Sequence, residues 1–183
     1  ATQTTGPIFR SISPTTHNFR IFPKLSDIVN NTPTPWEVLP SVGRTLNFRL
    51  TVRDNKDGGG CTEEDDMSVA VINTSGPFVV TAPTNTGISW TVGTNQTVTW
   101  NVVGTTAAPI NCSGVDILLS TDGGYTYPVT ILTNTPNDGS QSIVIPNNVT
   151  TTARIMVRGN GNFFFDISNN NFTIVAAVAP RST

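Results

Sequence analysis

Charge is scarce in this chain. Only 12% of its 183 residues are Asp, Glu, Lys or Arg, about half the share of an ordinary globular domain. The net charge is −2 with no run of Lys or Arg, so the electrostatic footprint that binds nucleic acid is missing. Long apolar runs are missing too, and no stretch reaches the roughly 18 residues that a membrane-spanning helix needs. Histidine occurs once, as His17 in a Thr/Asn loop. A Ser-His-Asp or Cys-His device would depend on it alone, and neither G-x-S-x-G nor H-E-x-x-H is present. The triple glycine at residues 58–60 leads into acidic residues, which would repel a phosphate. With two cysteines, Cys61 and Cys112, the chain has too few for a disulfide scaffold and no zinc-knuckle spacing.

Thr, Asn and Ser supply the polarity instead, a composition suited to strands, turns and an extracellular surface. A single disulfide or two buried thiols would fit the cysteines. The extracellular character favours a Cys61–Cys112 disulfide tying the acidic hairpin to the second domain. Asn30, Asn73, Asn95, Asn111, Asn148 and Asn171 stand in N-x-S/T patterns and read as turn chemistry.

Period two dominates what is there. Leu46, Phe48, Leu50 and Val52 alternate with Asn47, Arg49, Thr51 and Arg53. Val98, Trp100 and Val102 alternate with Thr97, Thr99 and Asn101. Val115, Ile117 and Leu119 share one face, as do Ile155 and Val157. Such alternation marks half-buried antiparallel strands. Turn signals such as "KDGGG", "STDGG", "PNDGS" and "RGNGN" recur at short intervals, the pattern of a sandwich or barrel. The best helical stretch, "KLSDIVNN", is confined by Pro23 and Pro33, with Ser26 as its expected cap. The expected fold is all-β: two tandem antiparallel, immunoglobulin-like β-sandwiches. A first domain spans residues 1–74, a second spans 75–177, and 178–183 form a linker.

Two features compete for function. Asp54, Asn55, Asp57, Glu63, Glu64, Asp65 and Asp66 crowd the expected hairpin end, with a second strand starting at Met67. Such oxygens could jointly bind calcium, although the spacing lacks the fixed glycine and terminal glutamate of an EF-hand. The plainer reading is a solvated loop. Four adjacent carboxylates are too costly to bury without a cation, so a catalytic centre is not expected here. Asp116, Asp122, Asp138 and Asp166 offer carboxylates for glycosidase chemistry, but Asp122 and Asp138 each precede Gly as hairpin residues do. The aromatics Trp36, Trp90, Trp100, Tyr125 and Tyr127 are candidates for glycan or protein contact. Tyr125 and Tyr127 in "GYTYP" offer a binding pair if the loop exposes both, though a tyrosine packed over the hairpin is the favoured reading, while Trp100 alternates with apolar residues and reads as core.

The ordered phrases "FRIFPKLSDIVNN", "WEVLPSVGRTLNFRLTVRDNKDGGGCTEEDDMSVAV", "SWTVGTNQTVTWNV", "VDILLSTDGGYTYPVTI" and "ARIMVRGNGNFFFDISNNNFTI" are spread over nearly the whole chain, from Phe19 to Ile174. They resemble the region after the catalytic domain in secreted reprolysin-like zinc metallopeptidases of Bacteroidetes and related bacteria. "NFRLTVRDN" through "MSVAV" is similar to the last strands of PKD-type domains, and "SWTVGTNQTVTW" to opening strands of cell-surface Ig-like modules. The resemblance implies a multi-domain, exported parent, with this part as a non-catalytic spacer, docking or stabilising region. That family's zinc ligands lie in a separate domain, and no position here matches them. Two other roles are compatible with such sandwiches: an adhesive or self-assembling surface module, and a carbohydrate-binding module.

Overall fold

The computed structural model describes residues 1–33 and 36–178. The expected linker at 178–183 lies, apart from Val178, outside the described residues. The protein is all-β with antiparallel sheets. The chain forms two compact units, one from residues 1–16 and 35–74, the other from 17–34 and 75–183. Residues 17–34, which the sequence assigns to the first domain, pack within the second unit.

The first unit is built on a two-stranded ribbon. Strand β1 (Arg44–Arg53) pairs antiparallel with β2 (Thr62–Val71), in unbroken register from Arg44 opposite Val71 to Arg53 opposite Thr62. No other sheet forms in this unit among the described residues. β2 starts at Thr62, five residues before the expected Met67. Acidic residues are poor strand formers on their own, but the alternating ten-residue β1 gives each of them a ladder partner. The chain reverses through residues 54–61, where Gly58 and Gly59 take positive φ. Asp54 Oδ1 closes this turn by accepting the amides of Lys56 (3.2 Å) and Cys61 (3.0 Å). Midway along the ribbon Phe9 stacks on Phe48, with centroids 6.0 Å apart. At the ribbon end away from the turn, the Arg44 guanidinium donates to the carbonyls of Gln3 and Gly6.

The second unit packs two sheets face to face. One contains β3 (Val79–Ala82), β5 (Asn95–Asn101) and β8 (Ser140–Val144), in the order β3-β5-β8. The other runs β4 (Ser89–Thr91), β11 (Phe172–Val175), β9 (Thr150–Gly159), β6 (Gly114–Ser120), β7 (Val129–Pro136), with β10 (Phe165–Ile167) also pairing β9. All pairs are antiparallel except β4 with β11, which run parallel. The inward residues of the alternating patterns fill the space between the sheets: Val98, Trp100, Val115, Ile117, Leu119, Ile155 and Val157, with Trp90 against Phe172 at 4.5 Å between centroids.

Strand β6 is buried along its whole length, although its sequence alternates like a half-exposed strand. Helix α1 (Leu25–Val29) covers Leu118, while Asp116 and Ser120 are enclosed by their hydrogen-bond partners. It lies over the outer face of the sheet and brings Val29 into a second apolar cluster with Leu118, Met156 and Ile167, flanked by Leu25, Ile28, Tyr127 and Phe165. Asn31 adds a hydrogen bond from Nδ2 to the Asn169 carbonyl at 3.1 Å. Ser26 is not the cap. Lys24 occupies that position without a side-chain bond, and the Ser26 hydroxyl donates to Asp27 at 3.2 Å from inside the helix. Five residues are far too few for a helix to stand alone in water, so the apolar contacts hold it.

Candidate functional site

The acidic cluster does not converge. Because β2 is a strand, neighbouring side chains point to opposite faces. Glu64 and Asp66 project on the side of Arg49, whose guanidinium grips Asp66 through Nε to Oδ1 (2.7 Å) and Nη2 to Oδ2 (2.8 Å) and reaches Glu64 Oε1 at 2.9 Å. The hydrogen bond from Arg49 holds the Asp66 carboxyl below its usual range. The group is fully exposed, so water and salt screen the interaction. Glu63 and Asp65 sit on the other face, opposite Val52 and Leu50. Asp54 is taken by the turn, and Asn55 supplies a positive φ there. No group of three or more His, Cys, Asp or Glu side chains is placed to hold a metal ion among the described residues.

The two cysteines do not form the expected disulfide. Cys61 is an exposed free thiol, and Cys112 is a buried free thiol. Cys112 is enclosed by its own unit, its Sγ donating to the Gly114 carbonyl at 3.2 Å and to Asn160 O at 3.7 Å. Burial pushes this thiol up in pKa, which makes it a packed side chain rather than a nucleophile.

Around Tyr125 and Tyr127 the polar groups organise a turn. Asp122 accepts from the Ser120 hydroxyl (2.7 Å), the amides of Tyr125 (3.1 Å) and Thr126 (3.0 Å), and the Thr126 hydroxyl (2.7 Å). Ser120 Oγ in turn accepts the amide of Gly124 at 2.8 Å. Desolvation opposes ionisation of Asp122, yet these bonds outweigh it and bring its pKa down to about 2. The spacing S-x-D-x-G-x-T carries this turn, of which the sequence signals only the Asp-Gly step. Gly124 is required at its position: φ is +102°, and an added Cβ would meet Val29, Arg154 and the Tyr127 hydroxyl at 3.2–3.3 Å. Tyr125 remains exposed, whereas Tyr127 packs against the α1 cluster. The Tyr127 hydroxyl is buried without a hydrogen-bond partner, and burial raises its pKa. The two tyrosines therefore do not present a joint platform. Of the other aromatics, Trp90 and Trp100 are core and Trp36 is exposed with the Arg10 guanidinium 4.1 Å from its ring centroid.

Three carboxylates remain, Asp116, Asp138 and Asp166. Asp116, only 4% exposed, accepts from the Asn134 amide (3.0 Å), Asn160 Nδ2 (2.9 Å) and Arg158 Nε (3.0 Å). Burial pushes its pKa up, but these donors prevail and hold it below the usual value. Asp138 accepts the Ser140 amide at 3.3 Å. Asp166 accepts the Val80 amide at 2.7 Å, tying β10 to β3, and burial raises its pKa despite that bond.

The signs of these shifts give a prediction. Asp166 binds its proton more tightly folded than unfolded, so its ionisation subtracts stability as pH rises through its folded pKa. An Asp166→Asn variant keeps an acceptor oxygen for Val80 and is expected to match or exceed the wild type in urea unfolding at pH 7. Its advantage should shrink as the pH falls through that same range.

Asn137, which the sequence did not single out, is buried in the connection between β7 and β8. Its Oδ1 accepts Trp100 Nε1 at 2.8 Å, and its Nδ2 donates to Thr105 Oγ1 and the Cys112 carbonyl, both at 2.9 Å. Asn137→Ala leaves buried donors and acceptors unmet and is expected to lower the unfolding free energy by about 2–3 kcal/mol. Urea denaturation followed by Trp fluorescence measures it.

No protein-family model matches the chain, and no curated protein matches it. No helix among the described residues is long and apolar enough to cross a membrane.

Proposed function

We propose that the chain is a non-catalytic accessory region of a secreted or cell-surface protein, serving as a spacer, docking or stabilising module. In this reading the second unit is an immunoglobulin-like sandwich and the first unit belongs to a PKD-like domain. The parent carries its chemistry elsewhere, as the resemblance to the post-catalytic region of reprolysin-like metallopeptidases implies.

The observation that supports this most is how the carboxylates are used. Asp54, Asp122 and Asp138 each accept backbone amides of their own turns, and Asp116 and Asp166 accept amides of other strands, whereas general acid–base catalysis needs a group poised over a substrate. Strand order also supports the immunoglobulin-like reading. A three-stranded sheet packs on a larger one whose last strand pairs in parallel with an early short strand, around a core Trp.

Two comparisons separate this reading from its rivals. Glycan-array binding that is lost on replacing Trp36 or Tyr125 by Ala would favour the carbohydrate module. Concentration-dependent assembly in sedimentation velocity would favour the self-assembling module. A monomer that binds no glycan is the expected result. Calcium is expected to leave the melting temperature unchanged, because the acidic residues are divided between the two faces of the ribbon. A calcium-dependent rise, reversed by chelator, would restore the metal reading of Asp54, Asn55, Asp57 and Glu63 to Asp66.

A further inference from the structure

The sequence contains one Asn-Gly dipeptide, Asn160–Gly161. We propose that Asn160 is a site of spontaneous deamidation whose conversion dismantles the hydrogen-bonded site around Asp116.

Glycine is the following residue that least obstructs attack of its own nitrogen on the asparagine side chain, because it has no Cβ. Here Gly161 sits in an open turn at φ +67°, where even an added Cβ would meet nothing within 4 Å. The Gly161 amide nitrogen gives its proton to hydroxide and attacks Cγ of Asn160. As the N–Cγ bond forms, the Cγ–Nδ2 bond breaks and ammonia leaves with a proton from water. Water then adds to the cyclic imide and cleaves one of its two C–N bonds, giving aspartate or isoaspartate. The net change is addition of one water and loss of one ammonia.

The consequence lies at Asp116. Asn160 Nδ2 is a neutral donor 2.9 Å from Asp116 Oδ1, and Arg158 is the cation that completes the set. An aspartate at 160 removes that donor and places a second carboxylate beside a buried one, with a single half-exposed guanidinium to offset both. Like charges this close are unfavourable even where one of them reaches solvent, as residue 160 does. The same bond restrains the reaction, because Nδ2 held by Asp116 must be freed before Cγ can be attacked. Asp116 therefore protects Asn160, and intact Asn160 keeps Asp116 satisfied.

The test incubates the purified chain at mildly alkaline pH and maps asparagines by peptide mass spectrometry. Asn160 is expected to convert ahead of every other asparagine, and Asp116→Ala to speed that conversion. Asn160→Asp is expected to lower the melting temperature by roughly 5 °C. The exchanged pair Asp116→Asn with Asn160→Asp should lose less than the sum of the single variants. If Asn160→Asp does not fold, the deamidated wild-type fraction, separated by ion exchange, should melt below the unmodified one. An Asn160 that stays intact while other asparagines convert, or a converted protein that melts like the original, overturns the proposal.

Discussion

Replacing Asp116 by Ala is expected to cost about 2–4 kcal/mol of unfolding free energy at pH 7, near the low end for a broken buried ion pair because Arg158 is half exposed and can turn to water. The carboxylate is 4% exposed, so its removal leaves the Asn134 amide and the Asn160 side chain without their acceptor. The pH dependence follows from the direction of the shift. The folded pKa lies below the ordinary carboxylate value, so the stabilisation is complete above the unfolded pKa and is lost as pH falls through the folded one. Wild type and Asp116→Ala should therefore converge in acid. Urea unfolding at pH 7 and in that acid range measures both points. A difference that persists undiminished in acid would mean that packing rather than charge accounts for the loss.

The second large effect concerns residues 17–34. Val29 is 4% exposed and seals the cluster of Leu118, Met156 and Ile167. Val29→Asp would bury a carboxylate against Leu118, Met156 and Ile167, a cost of about 2–3 kcal/mol even with the Tyr127 hydroxyl and Arg154 close by to offset part of it. The five-residue helix has no side-chain cap to hold it by itself. Release is the cheaper outcome, and it uncovers the outer face of β6 and β9. Expected results are faster proteolysis within residues 17–34, dye binding to the exposed apolar face and a lower melting temperature. Val29→Ile should leave all three near the wild type, since it keeps an apolar side chain of similar shape. Equal proteolysis of Val29→Asp and wild type would show that the segment does not depend on this seat.

How much of this was legible in the sequence depends on the range of the interaction. The strands of the second unit announce themselves because one face of each meets the core, so Val98 and Trp100 or Ile155 and Val157 recur at period two. The Asp122 turn was half legible: Asp before Gly marked a turn, while the partners Ser120 and Thr126 needed the folded geometry. The burial of β6 on both faces was not legible, since the cover for Leu118 comes from a short helix almost ninety positions earlier, which no local pattern signals. The acidic half of β2 was misplaced because its strand character comes from ladder pairing with β1, not from its own propensity. The disulfide expectation failed for a related reason. Compartment logic argues that two cysteines can pair, but Cys112 is enclosed by Gly114, Gly159 and Asn160 of its own unit. Tyr127 was open in the sequence, because an aromatic beside a turn looks the same whether it faces water or packs under α1.

The central claim, an accessory module without its own chemistry, is tested most directly by turnover. Purified chain is incubated with peptide and glycoside substrates, with and without added zinc or calcium, beside variants Asp116→Asn, Asp122→Asn and Asp166→Asn that retain their fold. The account predicts no hydrolysis by any of them under any condition. Hydrolysis by the wild type that disappears in one of these folded variants would contradict it.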